Sequence, residues 1–188
     1  MTRTVILKRA ALVFGALLLA SALTVAVRFK SIMISMSSDP SYRSTVRTLY
    51  SVLPFSVIRP VADECLRGDH EAPARLTTLY VLEVLPDEAF IELQPAVLSC
   101  MRSDDWRVRA AAVVAVLKRD AATPEQLSAC ETVFNASQED KGVRFFAGLV
   151  LLKAAIESGD ACREERITDQ LILLDRPRSR DRQVPGNP

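Results

Sequence analysis

Few residues in this chain can do acid–base, nucleophilic or metal chemistry, and their spacing narrows the choice at once. The 188 residues include one histidine, His70. A single imidazole excludes a multi-histidine metal site and a nucleophile served by a histidine relay. His70 sits in a turn between Asp69 and Glu71, where a solvated loop histidine competes with a general base. The four cysteines, Cys65, Cys100, Cys130 and Cys162, are widely spaced with no C-x-x-C pair, which disfavours zinc and thioredoxin-like chemistry. They read as small core residues. If the domain is exported and holds one disulfide, Cys130–Cys162 is the preferred pair. Asp87-Glu88 and Asp104-Asp105 are adjacent carboxylates at helix starts, where they act as caps rather than acid–base dyads. Six glycines form no phosphate cradle, and neither G-x-G-x-x-G nor G-x-x-x-x-G-K-[ST] occurs. No catalytic, cofactor-binding or metal-binding residue is assigned, no cofactor is expected, and the chain does not read as an enzyme. Trp106, the one tryptophan, is either an exposed interaction anchor or a side chain packed across a turn. With Arg107 and Phe145 it makes up the candidate interaction surface.

The elements that must carry these residues are helical. At 49% hydrophobic and 25% charged, the composition is that of a globular chain. The formal net charge of +1 hides a split. Residues 1–38 hold five basic side chains and no acid, whereas residues 39–174 carry a net charge of −6. An acidic body lacks the basic stripe of a nucleic-acid-binding domain, so no nucleic-acid partner is expected.

Ala10 to Val27 is an 18-residue run without a charge, flanked by Lys8 and Arg9 before it and Arg28 and Lys30 after it. At about 1.5 Å per residue it would span roughly 27 Å, close to the thickness of a hydrocarbon core. The run is read as a transmembrane helix or signal anchor. The alternative is a signal peptide cleaved near Ala22, leaving a secreted or periplasmic protein. The first reading gives a single-pass membrane protein with its body placed outside the cytoplasm. The remaining segments are a basic flank (1–9), a linker (28–38), a helical domain (39–175) and a disordered Arg/Pro tail (176–188).

The body repeats with a period of about 35 residues. Pro60, Cys65 and Arg67 fall over Pro95, Cys100 and Arg102, and Val108-Arg109 falls over Val143-Arg144. A long apolar run follows Arg75, Arg109 and Arg144 in turn. Each period reads as two helices. Asp105 caps a helix from Trp106 to Lys118. Thr123-Pro124-Glu125-Gln126 has capping-box spacing and opens a helix reaching about Asn135. Asp140 caps a helix that stops before Gly159, and a last helix covers Ala161 to Leu174. Asp39-Pro40 opens an earlier helix, to about Leu53, with Tyr42, Val46, Leu49, Tyr50 and Leu53 on one stripe. The second helices, built on AAAVVAVL and FFAGLVLL, are apolar almost all round and require neighbours on several sides. No stretch alternates as a strand would, and no sheet is predicted.

The stretch Ser103-Asp104-Asp105-Trp106-Arg107-Val108-Arg109-Ala110-Ala111-Ala112-Val113 resembles a HEAT repeat. Gln138 to Arg144 resembles the same junction in the next repeat, and Asp69 with Arg75 a degenerate copy. The likeness covers about residues 55–157. It implies a short right-handed solenoid of stacked antiparallel helix pairs, which together with the membrane helix read from residues 10–27 makes the expected fold all-α. It also implies a polar ladder in which Asp69, Asp104 or Asp105, and Asp140 pair with Arg75, Arg109 and Arg144. Such repeats present an extended surface for another protein. The chain is accordingly expected to be a membrane-tethered, non-catalytic scaffold or adaptor. A lyase-type enzyme on the same scaffold and a structural subunit of a membrane complex are the alternatives.

Overall fold

The computed structural model describes residues 24–25, 27–67 and 70–175. All regular structure among these residues is helical, with no strand among them. The membrane segment expected over residues 10–27 is not supported. No helix among the described residues is long and apolar enough to cross a membrane, so the expected single-pass membrane localisation is not supported. Most of the run lies outside the described residues, as do the basic flank, Asp69 and the Arg/Pro tail. Residues 28–38, expected as a linker, are helical. They bury Met33 and Ser37, one turn apart, against the protein. The described residues fall into two compact units, divided between Ser99 and Cys100.

The first unit begins with a helix described from residue 27 to 38 (α1). Asp39 then caps a short 3-10 turn, Pro40–Tyr42, by accepting from Ser41 N–H at 2.9 Å and Ser41 Oγ at 2.8 Å. Next come α2 (Arg43–Val52), α3 (Phe55–Arg67), α4 (Ala72–Val81), a 3-10 turn (Leu82–Val84) and α5 (Asp87–Cys100). Proline lies inside α3 (Pro60) and α5 (Pro95). Helix α4 packs against both α2 and α3. Val46, Tyr50, Ile58, Leu66, Leu82 and Phe90 fill the interior. Ion pairs cross between elements on the surface: Lys30–Glu64 (3.3 Å), Arg47–Glu83 (3.0 Å) and Arg59–Glu92 (2.7 Å). Exposed pairs of this kind contribute only about 0–1 kcal/mol each, so apolar burial holds the unit together.

The second unit contains α6 (Trp106–Leu117), α7 (Pro124–Asn135), α8 (Lys141–Ser158) and α9 (Ala161–Asp175). Its helix ends follow local sequence chemistry. The Thr123 side chain accepts from Gln126 N–H at 3.3 Å, and Gln126 Oε1 accepts from Thr123 N–H at 2.9 Å, closing the capping box. Asp140 accepts from Gly142 N–H at 2.8 Å. Gly159, at φ +71°, ends α8 in the left-handed conformation that glycine adopts without strain. Helix α8 touches α6, α7 and α9. This triple cover buries Val143, Ala147, Val150, Leu151 and Ala155, and it accounts for a helix with no polar face. Gly148 permits the close packing: a Cβ there would lie 2.6 Å from Leu171 Cδ2 and 2.7 Å from Phe134 Cε2.

Candidate interaction surface

The start of α6 is organised by two acids and two arginines. Asp105 is the N-cap and accepts from Arg107 N–H at 2.9 Å. The Arg107 guanidinium folds back onto the same carboxylate, with Nε at 3.0 Å and Nη2 at 2.7 Å. These bonds hold the Asp105 carboxyl below the usual range, with the side-chain bond from Arg107 the largest cause. Arg107 therefore spends its charge within its own turn. Trp106 stands between the paired residues and is 52% exposed, as the first residue of the helix. Its neighbours Asp105 and Arg107 fix the backbone that carries it, so the indole is presented on a rigid turn.

Arg109 does the opposite and reaches out of its helix. Its Nε and Nη2 donate to Glu139 Oε2 and Oε1 at 2.7 and 2.6 Å. Its Nη1 donates to the carbonyls of Ser103 (2.6 Å) and Asp104 (3.0 Å). One guanidinium thus joins the turn before α6 to the loop before α8. Glu139 is held further by Asp140 N–H at 2.8 Å. Burial would raise its carboxyl, but the bonds from Arg109 and Asp140 outweigh burial and lower it. At the other end, Lys153 of α8 donates to the carbonyl of Arg119, just past α6. The start of α6 meets the start of α8, and the end of α6 meets the later part of α8. The two helices therefore run parallel, near the 35-residue offset of the sequence repeat.

Phe145 lies in the second turn of α8 and is half-buried. Its ring partner is Phe146, edge-on at 6.3 Å between centroids and 72° between planes, rather than Trp106. Of the three residues expected to form one surface, Trp106 and Arg107 are adjacent and exposed, while Phe145 is half-buried with Phe146 of its own helix as its ring partner.

The ladder implied by the resemblance takes a different form. Arg109 pairs with Glu139 rather than with an aspartate of its own junction. Asp140 is used as a helix cap, and Arg144 Nε donates to the Phe134 carbonyl at 3.0 Å, satisfying the end of α7. The pairing was hidden because a long-range partner, 30 residues away on another loop, leaves no signature in local spacing.

The remaining chemistry-bearing residues are dispersed. No disulfide joins the cysteines: Cys65, Cys100 and Cys130 are buried and Cys162 is exposed. The Cys130–Cys162 pairing is therefore not formed, and both side chains are free thiols. Burial pushes the Cys130 thiol up to about 12 and raises that of Cys65, so both stay protonated and poorly nucleophilic. His70 Nε2 is 3.7 Å from Glu64 Oε1, beyond hydrogen-bond reach. Among the described residues no group of three or more His, Cys, Asp or Glu is placed to hold a metal ion. A dip of about 150 Å³ in the second unit has Phe134, Leu151 and Ile167 in its floor and Arg163, Arg166 and Gln170 at its rim. Its lining contains no hydroxyl, thiol or imidazole.

One further surface feature had no sequence signature beyond the i,i+4 spacing of two arginines. The guanidinium carbons of Arg43 and Arg47 lie 5.2 and 5.9 Å from the centre of the Tyr80 ring, joining α2 to α4 by cation–π contact. No family model, curated protein or solved structure matches this chain.

Proposed function

We propose that the chain is a HEAT-like helical-repeat protein that acts as a non-catalytic interaction module for another protein, with Trp106 as its anchor. The observation that carries this reading is the exposure of the chain's one tryptophan at the rigid start of α6. Large aromatic side chains left in solvent at fixed positions are favoured binding anchors, because they bury much area at small entropic cost. The parallel placement of α6 and α8 near the repeat offset supports the repeat reading, since equivalent helices of stacked pairs lie side by side in this way. The protonated, buried thiols of Cys65 and Cys130 favour a scaffold over a lyase using those residues.

The test is affinity capture from native extract with the full chain, comparing wild type with Trp106→Ala. Trp106 is not among the buried core residues, so the fold is expected to persist in Trp106→Ala while binding falls. A hot-spot contribution of about 2 kcal/mol predicts roughly thirtyfold weaker binding. Equal recovery of every partner by the two proteins would refute the anchor role.

A further inference from the structure

The dip in the second unit lies where three helices meet, and helical spacing sets its chemistry. On α9, Arg163, Arg166, Ile167 and Gln170 stand at i, i+3, i+4 and i+7, so they share one face. On α7, Glu131, Phe134 and Asn135 repeat the pattern at i, i+3 and i+4. Leu151 of α8 completes the lining. Phe134, Leu151 and Ile167 are buried, so the base is apolar. The polar lining residues are half-buried or exposed, so they ring the mouth.

The charge of that ring is not balanced. Arg163 Nη2 lies 3.7 Å from Glu131 Oε1, so the one carboxylate of the lining is opposed by one guanidinium. Arg166 brings a second guanidinium to the same mouth and has no ion-pair or hydrogen-bond partner among the described residues. Two arginines against one glutamate leave a single positive charge in excess. Asn135 and Gln170 add amide N–H donors beside it.

A guanidinium and amide donors above an apolar base form the pattern that recognises a carboxylate attached to an apolar group. Size narrows the ligand further. The dip holds about 150 Å³, well below the roughly 300 Å³ at which pockets for drug-sized ligands begin, so it takes one apolar group of a few carbons and excludes a nucleotide or a bulky cofactor. A dianion such as phosphate fits less well than a carboxylate, because the excess is one charge and Glu131 stands at the same mouth.

We propose that this dip binds an organic anion with one carboxylate on a short apolar group, the carboxylate meeting Arg166 and the apolar group resting on Phe134, Leu151 and Ile167. Two sources share this chemistry: a free short-chain acid, and the C-terminal residue of a polypeptide with an apolar side chain. The site lies on α7, α8 and α9 and uses no part of the turn that carries Trp106, so it stands apart from the anchor role.

The test titrates the full chain at neutral pH with isocaproate and with its neutral counterpart isocaproamide, followed by nitrogen–proton correlation spectra. The acid is expected to bind saturably and to shift amide signals of α7 and α9 around the dip, with isocaproamide about tenfold weaker. Arg166→Gln alters an exposed side chain, and its spectrum is expected to stay that of a folded protein while its affinity for the acid falls about tenfold. A second arm compares acetyl-Gly-Gly-Leu bearing a free carboxylate with the same peptide amidated. Tighter binding of the peptide acid than of isocaproate assigns the site to chain termini, and the reverse assigns it to free acids. No saturable shift around the dip with either acid, equal binding of acid and amide, or undiminished binding by Arg166→Gln would overturn the proposal.

Discussion

Arg109 and Glu139 form a two-pronged ion pair, with both nitrogen–oxygen distances at 2.7 Å or less, between the turn that starts α6 and the loop that starts α8. The side chains are 20% and 11% exposed, so the pair is shielded from solvent as surface pairs are not. The same guanidinium satisfies the Ser103 and Asp104 carbonyls. Removing it leaves a carboxylate and two carbonyls short of donors. Arg109→Ala is expected to destabilise the protein by about 2–3 kcal/mol, read as a lower urea midpoint by circular dichroism. Arg109→Lys keeps the charge but not the fork, and is expected to recover only part of the loss.

The pair also makes stability depend on pH. The Glu139 carboxyl titrates lower in the folded protein than in the unfolded chain. Its contribution is therefore fully present above the unfolded value of about 4.3 and is lost as pH falls through the lowered folded value. Glu139→Gln is expected to be less stable than wild type at pH 7, with the difference shrinking as pH falls below about 4. A difference that stays constant from pH 7 to pH 3 would show that the carboxylate charge is not involved.

Gly148 sits where α7, α8 and α9 converge. Alanine there gains about 1 kcal/mol of helix propensity, but its methyl group would meet the side chains of Leu171 and Phe134 well inside van der Waals distance. Both neighbours are buried. Overpacking costs about 1–3 kcal/mol, so Gly148→Ala is expected to lower the melting temperature despite its better propensity. A higher melting temperature would show that Phe134 and Leu171 repack freely.

Elements governed by neighbouring residues were the ones the sequence made legible. The caps at Asp105, Thr123 and Asp140 and the stop at Gly159 are set within a few positions, and each is found where its residue type places it. The apolar all-round composition of α8 foretold its several neighbours, because no other arrangement buries it. Pairings across helices were less accessible. Nothing in local spacing marks Glu139, 30 residues away, as the partner of Arg109. Helix α1 escaped notice because residues 27–38 bury only Met33 and Ser37, too few positions to make a stripe. The charge-free run before it suggested a membrane helix by length and hydropathy alone, and no described helix has that character. Trp106 was ambiguous for a related reason: a first-turn tryptophan can fold inward or stand out, and its exposure depends on neighbours far away in sequence.

The claim that a partner docks on the start of α6 is tested most directly by site-specific photo-crosslinking. A benzophenone side chain replaces Asp104, exposed two residues before Trp106, in one protein and Glu164, an exposed residue of α9, in a control, with Trp106 kept in both. One discrete adduct is expected from position 104, absent from position 164 and competed away by excess unlabelled wild-type protein. The same adducts from both positions, or none from position 104 in native extract, would contradict the claim.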